Sequence, residues 1–411
     1  MLAFTFPGQG SQRPGMGESW VDHPSFELVE QASEIAHQDV AALLLTADEE
    51  TLRETQNAQL ATFVSSLVVL DATERIGIEP AVCAGHSLGE YTALVASGSL
   101  SFDDGVRLVA ERGAAMRAAA ELRKGTMAAV IGLDDDAVEA ACMRAEGDAW
   151  VANFNSPGQA TIAGDPDALV RAGDIAKELG ARRVLSFPVG GAFHTPLMAP
   201  ARDRLRAALG AVVFREPDPI VVANVDARAH ADPNEWPGLL SAQLCSPVRW
   251  HQTLSTLAEL GARTFVELGP GGVLTGLAKR TLSGDEFSTY AVSTPEQLEA
   301  FVAAFTTHTS ATVEAEERPA LFAMAERLVV SPATGPFRPV ETFAGAAPTI
   351  GGGTAGGRSS LRVAVGELIG WAGETEIRSP FSGSLEGIIV LAGERVVGGQ
   401  PVAWLRADQE D

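Results

Sequence analysis

The sequence predicts an α/β protein with a parallel sheet, an inserted α+β subdomain and a small all-β domain after it. Up to about residue 120, apolar runs typical of buried strands alternate with segments of helical periodicity. Residues 125–193 then follow the order β-α-β-β-α-β, which is the ferredoxin-like motif. Residues 327–411 consist of two similar halves of short strands and glycine turns, which favours a small barrel or sandwich.

The large α/β domain is predicted to span residues 1–124 and 194–305. It begins with a strand, a tight loop and long helical segments, and it ends with a strand, a glycine loop and a helix. The predicted strands lie at 2–6, 81–84 and 265–268, and the helices at 25–46, 58–76, 91–96, 102–120 and up to about residue 280.

The inserted subdomain is predicted to span residues 125–193. Its predicted strands lie at 126–131, 150–154, 160–163 and 183–189, and its helices at 134–144 and 165–179. Ligands often bind between domains, so we expect functional residues where the chain returns from the insertion to the large domain.

Charge and cysteine usage exclude several classes of function. The formal net charge is −23 and no basic stretch interrupts it, so we expect no nucleic-acid partner. Cys83, Cys142 and Cys245 lack C-x-x-C spacing, which favours a reducing compartment and predicts no metal site. The N-terminal residues do not resemble a signal peptide and no apolar run could span a bilayer. We therefore expect a cytoplasmic protein without a membrane partner.

One short motif indicates nucleophilic chemistry. Gly85-His86-Ser87-Leu88-Gly89 follows an apolar strand and precedes an apolar helix, which is the context of a nucleophile elbow. The turn is tight, so glycines flank it, and the serine hydroxyl is exposed at its tip. Alternatively, the segment is a glycine-rich turn whose serine caps the helix. A cap does not need glycine on both sides, which favours the elbow.

A serine nucleophile needs a base, and the chain has seven histidines. His86 adjoins Ser87, but neighbouring side chains on such a turn point apart, so we interpret it as structural. His194 lies in a glycine-loosened loop just after the insertion, from which it could reach Ser87. Spacing alone leaves a packed imidazole as the alternative. The other histidines are expected in solvent or packing roles: His23, His37, His230, His251 and His308.

Five motifs in order carry a resemblance that covers about residues 1–300. They are Phe6-Pro7-Gly8-Gln9-Gly10-Ser11-Gln12, Gly85-His86-Ser87-Leu88-Gly89-Glu90, Asn153-Phe154-Asn155-Ser156-Pro157-Gly158-Gln159, Gly191-Ala192-Phe193-His194 and Gly269-Pro270-Gly271. Together they closely resemble malonyl-CoA:acyl carrier protein transacylases and the acyltransferase domains of fatty-acid and polyketide synthases. The resemblance implies an α/β-hydrolase-like large domain with an inserted ferredoxin-like subdomain.

The resemblance also implies a mechanism. His194 would take the proton of Ser87, which attacks the thioester of malonyl-CoA, and a backbone carbonyl would orient the histidine. The backbone N–H groups of Gln9 and Leu88 would hold the oxyanion. A malonyl-serine ester would then pass its acyl group to the phosphopantetheine thiol of acyl carrier protein, giving ping-pong kinetics. The coenzyme A thioester is the substrate, and no bound cofactor is implied.

Further pocket residues follow from the same resemblance. Arg112 matches the carboxylate-binding arginine, because a guanidinium can hold a carboxylate with two parallel hydrogen bonds. Alternatively, Arg112 is an exposed helix residue paired with Glu111 or Asp104. Phe193 resembles malonyl-selective members and is expected to crowd out a branched methylmalonyl group. The remaining implied substrate-binding residues are Gln56, Met116 and Asn155.

Acyl carrier protein is acidic, so a chain of this net charge needs a local basic patch to dock it. Arg182 and Arg183 match basic positions of the family near the cleft, and Lys279 and Arg280 are a second candidate. Solvated surface is the alternative for either pair.

Residues 306–326 are polar and acidic and are expected to form a linker with some helix. Residues 327–411 resemble biotinyl or lipoyl carrier domains. The resemblance rests on the repeat of two similar halves and on the turn sequence at 393–402. Those carriers attach the cofactor to a lysine at a hairpin tip, but the last lysine here is Lys279 and the corresponding tip, near 372–374, is shortened. No biotin or lipoate can therefore be amide-linked to this domain. It is expected either to dock a carboxylase or carrier subunit or to be a vestigial barrel that packs or self-associates.

The sequence thus predicts a malonyl transferase of fatty-acid synthesis. The nearest alternative is a discrete acyltransferase for a polyketide synthase or a malonate decarboxylase. A serine esterase is a second alternative, opposed by Arg112 and by the lack of a Ser…Asp…His chain order. A non-catalytic scaffold is a third, opposed by the intact set Ser87, His194, Arg112 and Gln9.

Overall fold

The computed structural model describes residues 1–187, 189–313, 326–333, 335–340, 361–379, 382–388, 390, 392–393, 395–396 and 400–407. The chain divides into two compact units, Met1–Thr309 and Ser310–Asp411. Among these described residues, no helix combines the length and the apolar character that a bilayer crossing requires.

The described residues up to 313 contain ten strands and thirteen α-helices, of which the last continues four residues past the end of the first unit. The strands are β1 (Leu2–Phe6), β2 (Val82–Gly85), β3 (Thr126–Ile131), β4 (Ala149–Ser156), β5 (Gln159–Gly164), β6 (Arg183–Phe187), β7 (Ile220–Val222), β8 (Ala229–His230), β9 (Thr264–Leu268) and β10 (Ser288–Val292). The helices are α1 (Glu27–Ala36), α2 (Val40–Leu45), α3 (Glu49–Arg53), α4 (Thr55–Glu74), α5 (Gly89–Ala96), α6 (Phe102–Leu122), α7 (Asp135–Arg144), α8 (Pro166–Glu178), α9 (Ala199–Leu209), α10 (Trp236–Gln243), α11 (Trp250–Glu259), α12 (Val273–Thr281) and α13 (Pro295–Val313). Short 3₁₀ helices lie at Glu18–Trp20, Pro24–Phe26 and Pro196–Met198.

The large sheet has the strand order β10-β9-β1-β2-β7-β8. All neighbouring strands are parallel except the pair β7–β8. The carboxyl ends of parallel strands meet at one edge, so the loops after β1, β2 and β9 lie together there. The predicted parallel α/β sheet is therefore present, and this edge holds the site.

Helix α4 lies deep in the large domain. Its residues from Asn57 to Leu70 are all buried, and it packs against α6. Because the helix is buried on all sides, it belongs to the interior rather than to the surface. The α6 helix begins where the Ser101 hydroxyl accepts a hydrogen bond from the backbone of Asp104, which satisfies an otherwise unpaired amide.

The inserted segment folds into a sheet of order β4-β5-β3-β6 in which every neighbouring pair is antiparallel. Helices α7 and α8 pack on one face through a separate apolar cluster that includes Val130, Val138 and Ile162. The opposite face is turned toward the large domain. Strand β4 is joined to that domain by two hydrogen bonds, from Phe154 N–H to the Val248 carbonyl at 2.9 Å and from Val248 N–H to the Ala152 carbonyl at 2.9 Å.

Several element bounds differ from those the sequence predicts. The helix expected over 25–46 is broken after Ala36, because His37 adopts a left-handed conformation with φ +51° that ends α1. Helix α13 continues to Val313, so the first part of the expected linker at 306–326 is helical; residues 314–325 lie outside the described residues. The strand expected to reach residue 189 ends at Phe187.

The second unit contains eight described strands, which form two four-stranded sheets. The strands are β11 (Glu326–Val330), β12 (Gly335–Pro339), β13 (Leu361–Val363), β14 (Leu368–Ala372), β15 (Thr375–Arg378), β16 (Gly383–Ile388), β17 (Arg395–Val396) and β18 (Pro401–Ala407). The sheet orders are β11-β18-β16-β13 and β15-β14-β12-β17, with antiparallel neighbours. Buried side chains such as Val329, Phe337 and Ile369 form their common core. The glycine-rich residues 344–360 lie outside the described residues.

Two glycines allow β1, β2 and α5 to meet at the tight turn after β2. A Cβ atom at Gly85 would lie 1.8 Å from the Gly89 carbonyl oxygen, and one at Gly89 would lie 2.0 Å from the Phe6 carbonyl oxygen. The nearest atoms at both positions belong to the backbone, so no side chain can move to make room for a Cβ atom.

We predict that Gly89→Ala destabilises the first unit by about 3 kcal/mol or more, because the methyl group would push α5 away from β1. Gly238→Ala is the matched control, since Gly238 is also helical and has no atom within 4 Å of the added Cβ position. That control should be neutral or slightly stabilising. The midpoint of thermal unfolding, followed by circular dichroism, measures both; equal midpoints for the two variants would contradict this packing argument.

Candidate active site

Ser87 lies at the turn between β2 and α5 with φ +53°, a left-handed conformation that is uncommon outside glycine. Two side-chain amides hold its backbone. The Ser87 N–H donates to Asn224 Oδ1 at 2.7 Å, and the Ser87 carbonyl accepts from Gln243 Nε2 at 2.8 Å. Such strain persists where the surroundings over-determine the conformation, and here it directs the hydroxyl toward the cavity described below.

His194 approaches Ser87 from the loop that follows the inserted subdomain, and it too has a positive φ of +60°. Its Nε2 atom lies 2.7 Å from Ser87 Oγ, and its Nδ1 atom lies 2.9 Å from the backbone carbonyl oxygen of Gln243. A carbonyl oxygen can only accept, so the proton is on Nδ1 and Nε2 is free to accept the serine proton. The backbone carbonyl occupies the position that a carboxylate takes in a Ser-His-Asp triad.

The imidazole of His194 is neutral at physiological pH. Its side chain is only 4% exposed. Burial, and after it the positive charge of Arg112, lower the pKa of His194 to about 3, against the smaller opposing effect of the hydrogen bond to Gln243. Ser87 therefore faces a histidine in its proton-accepting form.

Arg112 lies beside the nucleophile, and the expectation of an exposed helix arginine is excluded. It is 1% exposed, whereas Glu111 pairs with Arg204 and Asp104 with Arg107. Its guanidinium donates to Ser87 Oγ at 3.0 Å, and to the side-chain oxygens of two glutamines, Gln59 at 2.6 Å and Gln243 at 2.8 Å.

The charge of Arg112 lacks a carboxylate partner, although the guanidinium lies over the Tyr91 ring at 5.5 Å from its centre. All three acceptors of its hydrogen bonds are uncharged, and among the described residues no carboxylate forms an ion pair with it. Its Nε atom is buried without a hydrogen-bond partner. Burial lowers the pKa of Arg112, although the guanidinium remains charged at neutral pH. A buried cation next to a nucleophile is a strong attraction for a negatively charged acyl group.

A cavity of about 480 Å³ opens in front of Ser87 and His194. The loop Gly8–Gln12 forms one wall, and the open face of the small sheet contributes Asn153 and Thr161. Gln9 lines the cavity, and Leu88 directly follows the nucleophile. Within the described part of the chain, neither of these two backbone N–H groups donates to another group, so both are free to bind an oxyanion.

The structure brings most of the predicted substrate-binding residues to this cavity. Met116, Asn155 and Phe193 line it. Asn155 Oδ1 also lies 3.0 Å from Nε2 of His86, whose ring packs edge-on against Trp250, in agreement with a structural interpretation of that histidine.

Gln56 and Arg112 are not among the residues that line the cavity. Arg112 contacts Ser87, which does line it, whereas the backbone of Gln56 lies against Gly113 on α6. Gln59, about one turn later on α4, is fully buried and is the residue that holds Arg112. The two glutamines lie three residues apart on one helix, and only the packing of α4 against α6 decides which of them reaches the guanidinium.

The four candidate carrier-docking residues are all exposed, and among the described residues none forms an ion pair. Arg280 lies at the cavity. Arg183 lies four residues before Phe187 on β6, so both side chains point to the same face of the small sheet, and Phe187 lines the cavity.

Sequence reasoning missed four residues of the network: Gln59, Glu90, Asn224 and Gln243. Two of the four left a usable signal. Glu90 is the last residue of one of the five motifs, and Asn224 follows the apolar strand β7 next to β2, at the edge where such sites lie. The two glutamines occur within helical sequence and have no local pattern that marks them.

The serine hydroxyl is hydrogen-bonded to a neutral histidine, two free backbone N–H groups lie near it, and a buried arginine lies beside it. This arrangement is typical of enzymes that transfer acyl groups through a serine ester. The chain belongs to the acyl transferase domain family, whose family model matches residues 3–315.

The chain is similar to a malonyl CoA-acyl carrier protein transacylase of Bacillus subtilis, with 40% identity over 303 residues that cover 72% of this chain and 95% of the relative. Among solved structures, an acyl carrier protein S-malonyltransferase of Vibrio cholerae is 40% identical, with a TM-score of 0.70 over 73% of this chain and 99% of that one. A malonyl-transacylase in complex with a type II polyketide acyl-carrier protein is 37% identical, with a TM-score of 0.71 over 74% of this chain and 99% of that one.

We predict that Ser87 stays reactive well below neutral pH. The neutral form of His194 is the active one, and its lowered pKa of about 3 keeps that form populated. The rate of labelling by an uncharged fluorophosphonate should change less than about twofold between pH 8 and pH 5, whereas an unperturbed histidine would give a fall of ~30-fold. Ser87→Ala is the control for labelling at other sites, and a rate that halves near pH 6.5 would contradict the prediction.

Proposed function

We propose that the chain is an [acyl-carrier-protein] S-malonyltransferase, which moves the malonyl group from malonyl-CoA to the phosphopantetheine thiol of acyl carrier protein. The observation that carries this proposal is Arg112, a buried and unpaired cation 3.0 Å from the nucleophilic oxygen. An uncharged acyl group would leave that charge unpaired, whereas the carboxylate of a malonyl group would neutralise it. The names of the relatives support the same reaction.

In the first half-reaction, Ser87 Oγ attacks the thioester carbonyl and its proton passes to Nε2 of His194. The negative charge that develops on the carbonyl oxygen is stabilised by the backbone N–H groups of Gln9 and Leu88. The C–S bond then breaks, the coenzyme A sulfur takes the proton from His194, and a malonyl ester remains on Ser87.

The second half-reaction runs through the same groups. His194 accepts the proton of the phosphopantetheine thiol, the sulfur attacks the ester, and Ser87 recovers its proton as the C–O bond breaks. No cofactor takes part, and coenzyme A leaves before the carrier binds. The order is therefore ping-pong.

We assign the reaction to fatty-acid synthesis, with polyketide synthesis or malonate decarboxylation as the alternative pathways. A solved relative acts with a polyketide carrier, so the chemistry is common to these pathways and gene neighbours discriminate between them. Phe193 and Met116 are buried and line the cavity, and we propose that the Phe193 ring favours a linear malonyl group over a branched one. The cytoplasmic location stays a prediction from cysteine usage.

We predict that brief mixing with malonyl-CoA adds one malonyl group to the chain, detected by intact mass, and that holo acyl carrier protein removes it. Ser87→Ala should show no adduct. Arg112→Lys keeps the charge but loses the planar fork, so its preference for malonyl-CoA over acetyl-CoA in serine acylation should fall by about 100-fold.

Acetyl-CoA is the internal control in this experiment, since an Arg112 variant that merely misfolds would lose both acylation reactions together. Absence of a malonyl adduct on the wild-type chain, without hydrolysis of malonyl-CoA, would refute the transferase. An unchanged acyl preference in the Arg112 variant would refute the role of the guanidinium.

We further propose that the carrier protein docks on the exposed cations beside the cavity, namely Arg182 and Arg183 on one side and Lys279 and Arg280 on the other. An acidic carrier meeting a chain of net charge −23 needs such a local patch. These four side chains are free to pair with carboxylates of a partner because they carry no ion pair within the described residues.

Arg183→Glu should slow transfer to the carrier about tenfold at low salt and leave acylation by malonyl-CoA unchanged, since only the second step involves the carrier. The difference should shrink as salt screens the charges. Arg144→Glu is the control for charge reversal on the opposite face of the small sheet, where α7 packs; the 3.9 Å ion pair of Arg144 with Glu178 is exposed and contributes little to stability. Equal effects of the two substitutions would count against docking at this face.

For the second unit, we propose the flattened barrel of a biotinyl or lipoyl carrier without an attachment site. Two antiparallel four-stranded sheets support this proposal, as does the two-residue turn between β14 and β15, at Gly373 and Glu374. The sequence has no lysine after Lys279, so no biotin or lipoate is carried. The unit is proposed to dock a carboxylase or a carrier subunit, with self-association as the alternative.

We predict that immobilised full-length chain retains purified acyl-CoA carboxylase subunits, and that a chain ending at Thr309 does not. The transferase assay verifies that the shortened chain is folded. Failure of the full-length chain to retain any carboxylase or carrier subunit would reject docking, and a larger mass of the full-length chain by light scattering would support self-association.

A further inference from the structure

Glu90 is a buried carboxylate that the mechanism above does not use. It lies in the first turn of α5, three residues after the nucleophile, and it is 1% exposed. Each of its oxygens accepts a hydrogen bond: Oε1 accepts from the backbone N–H of Asn224 at 2.6 Å, and Oε2 accepts from Nε2 of Gln243 at 2.6 Å. It does not line the cavity, so it acts through other residues.

The two residues that Glu90 holds are those that clamp the nucleophile. Asn224 accepts from the Ser87 N–H through Oδ1 and donates to the Gly85 carbonyl at 2.7 Å through Nδ2. Gln243 donates to the Ser87 carbonyl. Glu90 thus reaches both sides of the Ser87 peptide backbone, which is held at a positive φ.

The amide of Gln243 lies between the Glu90 carboxyl group and the Arg112 guanidinium. Burial raises the pKa of Glu90 to about 7, against the hydrogen bonds from Asn224 and Gln243. Above that pH Glu90 is a carboxylate that only accepts hydrogen bonds, whereas a guanidinium only donates them. The nitrogen of Gln243 must then face Glu90, and its oxygen must face Arg112, as observed at 2.6 Å and 2.8 Å.

We propose that Glu90 is a positioning residue for acyl-group selection: it locks the Gln243 amide so that the amide oxygen holds the Arg112 guanidinium toward the carboxylate of the incoming malonyl group. This inference rests on the proposed malonyl transfer and adds the element that fixes its selectivity.

The substitution Glu90→Gln isolates this role because it keeps the size of the side chain and removes one acceptor. An amide at position 90 offers one oxygen for two donors. If its nitrogen faces Gln243, the Gln243 amide must turn over, and two donors then meet at Arg112. If its nitrogen faces Asn224, the clamp on the Ser87 N–H is weakened instead.

The experiment measures Ser87 acylation of the full chain with malonyl-CoA and with acetyl-CoA at about pH 8, above the pKa of Glu90, which is about 7. We expect the malonyl-to-acetyl preference of Glu90→Gln to fall about tenfold or more, because a misplaced guanidinium affects only the charged acyl group. Glu267→Gln is the matched control. Glu267 is also 1% exposed and accepts from the backbone and hydroxyl of Thr275, away from Arg112, so its acyl preference should equal that of the wild type.

A second variant covers the case in which Glu90→Gln does not fold. Gln243→Met removes the oxygen that faces Arg112 and leaves the hydrogen bond between Glu90 and Asn224 in place, so it should lose the same preference. If the folded variants keep the malonyl-to-acetyl preference, whether both acylation rates fall or neither does, the inference about Glu90 is wrong. The proposed malonyl transfer is unaffected by that outcome. A wild-type chain that takes up neither acyl group would overturn the proposed function and this inference with it.

Discussion

The buried charge of Arg112 is the constraint on which the rest of the site depends. Removing a guanidinium from water is costly unless its hydrogen-bonding groups are satisfied and its charge is compensated. Gln59, Gln243 and the Ser87 hydroxyl supply uncharged acceptors. In the proposed mechanism, the charge is compensated by Glu90, which acts through Gln243, and by the carboxylate of the incoming acyl group. The same buried guanidinium therefore determines both the selectivity for a charged acyl group and the packing of polar side chains in the interior.

Gln243 joins the parts of this network. Its backbone carbonyl orients His194, its side-chain nitrogen holds the Ser87 carbonyl, and its side-chain oxygen holds Arg112. A carboxylate in place of that carbonyl would add a second negative charge near Glu90 and would compete with the substrate for Arg112. The neutral carbonyl fixes the histidine tautomer without such competition, and it leaves the pKa of His194 low.

Both reactive side chains depend on backbone conformations that their own residue types disfavour. Ser87 and His194 have positive φ angles although neither is glycine. The backbone of Ser87 is held by the close approach of β1, β2 and α5, which two glycines without room for a Cβ atom make possible. His194 lies where the chain leaves the small subdomain, whose strand β4 is hydrogen-bonded to Val248 of the large domain. Strain at the two residues is thus balanced by regular structure on each side.

Much of this protein follows from its sequence alone. The strands at 2–6 and 126–131 have the predicted bounds, and Asp134 and Asp165 cap their helices where the pattern indicates. These features are local, because alternation, capping and glycine turns act within a few residues. The sequence also singled out Ser87 and His194, which lie 2.7 Å apart, since the motifs around them are dense in glycine and similar to a known family.

Only the tertiary structure decided which distant side chains meet. It selected Gln59 over Gln56, placed Asn224 and Gln243 around Ser87, and buried Arg112 without a carboxylate. Gln243 lies 156 residues from Ser87, and no local pattern relates two positions at that separation. The sequence determines which groups are available for chemistry, whereas packing and the need to satisfy a buried charge determine which of them form the site.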